Sequence, residues 1–283
     1  MLLSSSREGH PRDLGATASG TPGVTVVVGG SSTVLRPPAE TGDWVQILQA
    51  DPGLADAIPE TTRTDAAVYT FAHTYWLEPG EWQPPSNDAE EAAGHLGLLI
   101  LNGFIIRQVR VIDRPPAELL GPGDLVHPWE PDHTEPFIAG ARWDILEPAR
   151  VAVLDRRFAA VIGRWPDLVA ALFARAIARS RSLLLNLAIG QLVGVDIRLL
   201  VLLWHIAERW GEHDENGAAD GVVVPVHLTH QIVASLISAQ RPTVTSALAA
   251  LTERGLISRR PDGLIVLHGE PPTEFRHLRS AMT

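Results

Sequence analysis

The segment from His227 to Gly269, HLTHQIVASLISAQRPTVTSALAALTERGLISRRPDGLIVLHG, constrains the fold more than any other part of the chain. Ile232, Val233, Leu236 and Ile237 share one helical face after Thr229, whose hydroxyl suits a helix N-cap. Ser238-Ala239-Gln240 leaves room only for a tight turn. Pro242 fits the first turn of a second helix, where a missing N–H does no harm, and Val244, Ala247, Leu248 and Leu251 make its apolar face. Ala234 is small where that helix must cross closely, and Gly255 is placed to stop it. Leu256–Ser258 and Leu264–Leu267 flank Pro261-Asp262-Gly263, which predicts a β-hairpin. Two helices joined by a tight turn and followed by a hairpin make the winged helix-turn-helix plan.

The polar residues left over on this frame carry the functional reading. Arg241, Pro242, Thr243, Thr245 and Ser246 lie at or near the N-terminal end of the second helix, the end that such helices direct into the DNA major groove. An arginine there can donate twice to guanine, worth about 1–3 kcal/mol of discrimination. Thr229, His230 and Gln231, at the start of the first helix, are placed for phosphate. Arg259 and Arg260 in the wing suit backbone or minor-groove contact. A small helical subdomain with a solvated polar face would explain any one of these features; all of them in order point to a DNA reader. The net charge of −10 opposes this, since nucleic-acid binders are often basic. The charge is uneven, however: from Val222 onward Arg241, Arg254, Arg259, Arg260, Arg276 and Arg279 face only Glu253, Asp262, Glu270 and Glu274. Distant acids are screened over about 8–10 Å at physiological salt.

The rest of the chain changes texture twice. Residues 1–40, rich in Gly, Ser, Thr and Pro, read as a disordered arm with one isolated strand-like run, Val24–Val28. Asp43–Leu54 has helical spacing broken by Pro52-Gly53. From about Asp65 to Asp155, short apolar runs (one of them Ala67–Leu77) alternate with turn residues, and Asn102-Gly103 between two such runs signals a hairpin. This predicts a β-roll of jelly-roll type over 41–163. Trp165-Pro166-Asp167 then opens a long helix, giving 164–194 as a helical segment, with an apolar stripe through Leu168, Leu172, Ala176, Leu183 and Leu187. Phe173, Ile177 and Leu184 make it apolar on a second flank, while Arg175 and Arg179 share a face. Such a helix must bury both sides, and a twin helix in a homodimer is the economical partner; a core helix inside a monomer is the other reading. After Gly190 and Gly194 a further helix, Asp196–Trp210, ends at Gly211, placed for a left-handed cap, and Glu212–Gly221 reads as a polar linker within the C-terminal domain, 195–283. The fold class expected is therefore α+β: an N-terminal β-roll sensor domain, a long dimerisation helix and a C-terminal winged helix-turn-helix.

Composition removes several alternatives. Cysteine is absent, which excludes disulfides, cysteine-ligated iron–sulfur clusters, thiolate zinc sites and cysteine nucleophiles. No apolar run approaches the roughly 20 residues of a membrane span, and the N-terminus lacks the apolar stretch of a signal peptide, so a cytoplasmic protein is expected. No nucleophile–base constellation or Gly-rich phosphate loop suggests an enzyme.

From about Ala67 to Gly269 the chain resembles the Crp/Fnr family of bacterial transcription regulators. The resemblance is carried by LEPGEW (Gly80), LNGFI (Gly103), LLGPGDLV (Gly123, Asp124), ARVAVLDRRF, WPDLVAALFARAIARS, DIRLLVLLWHIAERWG, LTHQ, RPTVTSALAALTERGLI and DGLIVL, in the family's order. It implies a homodimer on a palindromic double-stranded operator, phosphate contacts by Thr229, His230 and Gln231, and base reading by Arg241 and Ser246. An activator of this type also needs a surface for RNA polymerase, which the sequence does not locate. The family usually has Gly where this chain has Ser238, Ser where it has Gln240, and Glu and Arg at the positions of Pro242 and Ser246. These departures imply a different operator sequence. Members that take cyclic nucleotides use a Gly-Glu pair and a following Arg-Ser or Arg-Thr. Here His127-Pro128 stands in place of Gly-Glu, and Arg142 has no hydroxyl neighbour, so standard cyclic AMP binding is not expected. His127, Glu130 and Arg142 remain the effector candidates, with the effector unidentified and no cofactor assigned. Asp132, His133 and Glu135 add metal-capable side chains, but no defined metal spacing occurs and the segment reads as a solvated acidic loop. Some relatives bind haem, but His73 and His95 read as structural. The alternative to a regulator is a scaffold protein with a degenerate nucleotide-binding roll and a non-functional helix-turn-helix.

Overall fold

The computed structural model describes residues 24–28, 31–35, 43–84, 94–109, 116–128, 141–214 and 221–282. The chain divides into two units, 1–38 and 39–283. In the first, β1 (Val24–Val28) pairs antiparallel with β2 (Ser31–Leu35), Val24 opposite Leu35. Val24–Val28 is thus a strand with a partner rather than an isolated one; the rest of the expected arm lies outside the described residues.

In the second unit two antiparallel sheets form the roll. One runs in the order β3 (Trp44–Gln46), β4 (Phe71–Leu77), β11 (Ala149–Leu154), β6 (Gly97–Asn102), β9 (Leu125–Val126). The other runs β5 (Gly80–Trp82), β10 (Ala141–Ile145), β7 (Ile105–Val109), β8 (Ala117–Leu120). Leu98 and Ile100 from the first sheet meet Ile105, Leu120, Trp143 and Ile145 from the second in one buried core. Alternation along a strand sends neighbours to opposite faces, so Ile106 and Leu119 point out of the roll. They are buried nevertheless, because the C-terminal domain covers that face.

Asn102-Gly103 does not make the expected hairpin. β6 and β7 belong to different sheets, and the dipeptide is the corner between them. Gly103 has φ +78°, and a Cβ there would stand 2.4 Å from the Pro148 carbonyl oxygen. Asn102 Oδ1 accepts from the Arg150 backbone N–H at 2.7 Å, which ties this corner to the neighbouring one. Hairpin and corner both need a left-handed residue, so the local signal cannot separate them.

Three short helices, α1 (Ile47–Ala50), α2 (Pro52–Asp56) and α3 (Glu60–Tyr69), precede β4. Of the stretch Asp43–Leu54, expected to be helical, Trp44–Gln46 is strand β3; α1 ends at Ala50, just before Pro52, and Pro52 also opens α2, with Asp51 Oδ1 accepting from the Leu54 N–H at 3.1 Å. Ala67–Tyr69, read from sequence as the start of a strand, belong to α3. Only Ala66 of this helix is buried, so it has almost no apolar period to read.

After α4 (Arg156–Ile162), capped by Asp155, comes the long helix α5 (Pro166–Gln191). Leu168 and Leu172 are core residues of the chain itself, packed with Ile47, Leu54 and Phe158. They are therefore not available to a partner, which corrects the expected seam at two of its five positions. Arg175 and Arg179 continue this inward face: Arg175 meets Asp51 at 2.9 Å, and Arg179 makes a bidentate pair with Glu118 of β8 at 2.7 and 2.9 Å. Leu185 and Ile189 complete it. The expected seam residues Ala176, Leu183 and Leu187 are exposed, together with Val169 and Phe173.

Gly194 (φ +91°) leads into α6 (Val195–Trp210). Gly211, expected to be left-handed, has φ −68°. Glycine is needed there for space, since a Cβ would lie 2.4 Å from the Ala207 carbonyl oxygen. The expected linker contains a strand: β12 (Glu212–His213) pairs with β13 (Gly221–Val224). The C-terminal domain continues with α7 (His230–Leu236), α8 (Arg241–Glu253), the wing strands β14 (Ile257–Arg259) and β15 (Ile265–His268), and a helix not foreseen from sequence, α9 (Thr273–Met282). Its sheet order is β12-β13-β15-β14.

Ser238, between α7 and α8, has φ +53° and is the one non-glycine residue with positive φ among those described. This is where the resembled family has glycine. A left-handed L-residue costs roughly 1–2 kcal/mol. Ser238→Gly is therefore expected to raise unfolding stability by about 1 kcal/mol in urea denaturation; an unchanged or lowered midpoint would show that the turn is not strained.

Candidate nucleic-acid interface

α7 and α8 are held by one apolar cluster, in which Val233, Ala234, Leu236 and Ile237 meet Val244, Ala247, Leu248 and Leu251 over Leu199, Leu202, Leu203 and Ile206 of α6. That packing buries the large apolar side chains on the inner face and leaves most polar ones outside. Thr229 caps α7, its Oγ1 accepting from the Ile232 N–H at 3.2 Å. Pro242 sits in the first turn of α8, while Gln240 at the N-cap makes no side-chain cap bond.

Arg241, Pro242, Thr243, Thr245 and Ser246 are all exposed on the first turns of α8. The Arg241 guanidinium has no ion pair or hydrogen bond among the described residues. Thr245 Oγ1 donates to the Arg241 carbonyl at 3.1 Å and lies 2.9 Å from His230 Nδ1, an arrangement satisfied with that nitrogen protonated. Ser246 Oγ donates to the Pro242 carbonyl at 3.3 Å and keeps lone pairs free.

A concave pocket of about 490 Å³ joins these elements. Thr229, His230 and Gln231 line it from α7, Arg241 from α8, and Arg259 and Gly263 from the wing. Five of the ten residues singled out from sequence for DNA contact thus line this pocket, Arg241 among them, and the Thr245 side chain bonds to His230, one of those five. Arg260, by contrast, lies 3.2 Å from Asp262 and 3.8 Å from Asp214, so its charge is largely met within the domain.

His227, which the sequence reading passed over, closes one side of the pocket. Its Nδ1 lies 2.9 Å from Glu147 Oε1, at the corner between β10 and β11, and its Nε2 lies 3.0 Å from the Asp262 carbonyl oxygen at the wing tip. Both partners only accept, so both ring nitrogens are satisfied only in the imidazolium. The Asp262 carbonyl first, and then Glu147, raise its pKa above the usual 6.5. The folded state therefore binds this proton more tightly than the unfolded chain. The stabilisation is fully present below pH 6.5 and is lost as pH rises through the folded pKa. Titration of the His227 ring protons by NMR is expected to give a midpoint above 6.5 that falls in Glu147→Gln; a wild-type midpoint at or below 6.5 would contradict the paired geometry.

Of the three effector candidates, the structure describes His127 and Arg142. His127 is exposed after β9, and Glu130 lies outside the described residues, as do Asp132, His133 and Glu135. Arg142 is on the outer face of β10, opposite in direction to the buried Trp143, and its guanidinium pairs with Asp144 at 2.8 and 2.9 Å and Glu81 at 3.4 Å. The structure thus turns Arg142 away from the interior of the roll.

The architecture is thus a two-sheet roll, a long helix and a winged helix-turn-helix whose second helix exposes its first turns. Residues 197–270 match the Crp-like helix-turn-helix domain. The chain carries that domain and has the fold of a Crp/Fnr-type DNA-binding regulator. It resembles a CooA mutant from Carboxydothermus hydrogenoformans at 14% identity and a TM-score of 0.53, over 86% of this chain and 97% of that one. It resembles a cyclic nucleotide-binding domain containing protein from Listeria monocytogenes at 14% identity and a TM-score of 0.53, over 76% and 94% of the two chains. FixK2 from Bradyrhizobium japonicum gives 14% identity and a TM-score of 0.51, over 74% and 96%. No curated protein matches the chain in sequence. Among the described residues no helix is long and apolar enough to cross a membrane.

Proposed function

We propose that the chain is a sequence-specific transcription regulator that reads a palindromic operator as a homodimer in the cytoplasm, with residues 41–163 as sensor, 164–194 as dimerisation helix and 195–283 as DNA-binding domain. The observation that carries this reading is the exposed, unpaired Arg241 on the first turn of α8, beside the pocket formed with α7 and the wing. Arg241 and Thr243 read base edges, with Ser246 free to accept or donate, while Thr229, His230, Gln231 and Arg259 hold phosphates.

The dimer reading rests on a second stripe of α5. Val169, Phe173, Ala176, Ser180, Leu183 and Leu187 are all exposed and follow one another at alternating steps of four and three residues. That is the spacing of a coiled-coil seam. Two such helices related by a two-fold axis would bury it and place two recognition helices for two half-sites.

The sensor does not take a cyclic nucleotide in the family's usual way. His127-Pro128 replaces the ribose-binding pair, and Arg142, already held by Asp144 and Glu81, faces outward. Mobility shift of the purified full chain on its own promoter region tests the proposal. A sequence-specific shift is expected; no shift at low salt, with no dependence on added small molecules, would favour the scaffold alternative.

A further inference from the structure

A second pocket, of about 250 Å³, lies outside the roll where α5, α6 and α9 meet. Its polar lining is dominated by three guanidinium groups: Arg181 from α5, Arg209 from α6 and Arg279 from α9. Two of them are matched. Arg279 lies 2.6 Å from Glu208, which also lines the pocket, and Arg209 pairs with Asp124, buried at the end of the turn after β8. Arg181 has no ion pair or hydrogen bond among the described residues. The pocket therefore carries one surplus positive charge.

The neutral polar groups are also poised. Ser182 Oγ accepts from Arg209 at 3.3 Å and lies 2.8 Å from His205 Nε2. His205 is buried, and its Nδ1 has no hydrogen-bond partner among the described residues. Burial, and secondarily Arg209, push its pKa down to about 4, so the ring is neutral near pH 7. The rest of the lining is apolar and includes Leu185 and Phe275. Small-molecule sites combine such walls with a few convergent polar groups.

We propose that this pocket binds a small organic anion, a carboxylate or phosphate carried on a short apolar body. Arg181 supplies a charge that nothing among the described residues neutralises, Arg209 and Ser182 supply oriented donors, and Leu185 and Phe275 cover the apolar part. The volume limits the ligand to a compact metabolite, smaller than the drug-sized occupants of pockets of about 300–1,000 Å³. Because the pocket is walled by three separate helices, an occupant would fix α6 and α9 against α5, and α6 carries the helix-turn-helix on its other side. As an effector site this rests on the regulator reading; as a binding site it does not.

The test is isothermal titration of the full chain at low salt with phenyl phosphate and with benzoate, using benzyl alcohol as the neutral comparison. At least one anion is expected to bind saturably, with one site per chain and a Kd of about 1 mM or tighter, and the alcohol is not. Arg181→Gln, which removes an exposed and unpaired side chain, is expected to weaken binding at least about tenfold, a loss of the size charge-assisted contacts give. Arg279→Gln should weaken it as well. Arg156→Gln, exposed elsewhere on the surface, should leave it unchanged. Absence of saturable heat with both anions, equal binding of benzyl alcohol, or equal losses in the Arg181 and Arg156 variants would overturn the proposal. None of these readouts involves DNA, so failure of the mobility shift and failure of this site are separate results. With the site established, phenyl phosphate is expected to change operator affinity in the same mobility shift; an unchanged isotherm would reject its role as effector.

Discussion

Replacing Phe173 and Leu187 together by glutamate is expected to convert the protein to a monomer of 30.6 kDa in sedimentation equilibrium while leaving its helical content intact. Phe173 is 68% and Leu187 64% exposed in the single chain, so neither supports the fold of the protomer. In the proposed seam each would be buried twice, once from each protomer. Burying such a side chain contributes about 1.5–3 kcal/mol, and a carboxylate placed there instead would be desolvated without a partner. Leu168→Glu is the informative contrast. Leu168 is fully buried among Ile47, Leu54 and Phe158, so this change should unfold the chain rather than separate two intact copies. If the Phe173/Leu187 variant keeps the mass of the wild type, or the wild type is itself a monomer at micromolar concentration, the seam is wrong.

Arg241→Ala is expected to weaken binding to the specific operator by about 5- to 150-fold, the equivalent of the roughly 1–3 kcal/mol that one bidentate arginine–guanine contact contributes. The guanidinium is exposed and unpaired, so its removal leaves no buried group unsatisfied and should not alter stability. The loss should fall on the specific sequence and relax preference at a single base pair. Arg259→Ala, in the wing, should behave differently, weakening all sequences similarly and reducing the salt slope by about one ion. Fluorescence anisotropy on specific and scrambled duplexes at two salt concentrations separates the two patterns. Equal losses on both duplexes for Arg241→Ala would make it a phosphate contact instead of a base reader.

The helix-turn-helix was legible because its signals are local. The Thr229 cap, the apolar faces of α7 and α8, Pro242 in the first turn and the glycines after α8 and in the wing each act over a few residues, and the structure has all of them where the pattern put them. His227 was missed because it belongs to no local pattern. Its partners, Glu147 and Asp262, are 80 and 35 residues away. The residues of the 490 Å³ pocket were mostly named in advance, yet only folding brings α7, α8 and the wing together around them.

The long helix marks the boundary between the two kinds of information. Its length and start follow from Trp165-Pro166-Asp167 and an uninterrupted helical period. Which side faces inward does not, because two apolar stripes run side by side, Leu168–Leu172 and Val169–Phe173, one residue out of phase. Periodicity scores them alike. The tertiary structure decides through partners distant in sequence: Ile47 and Phe158 take the first stripe, and Asp51 and Glu118 draw Arg175 and Arg179, charges that would ordinarily face solvent, to the same inner side. The turn at Asn102-Gly103 is similar, since a left-handed glycine serves a hairpin or a corner equally and strand pairing alone chose the corner. The sequence by itself determined the two helices and the hairpin of the last domain and which polar residues lie on their outer side, because those depend on neighbours within a turn or two. Only the tertiary structure decided which face of α5 stays exposed, and that Arg142 points away from the roll, because burial and charge pairing are settled between segments far apart in the chain.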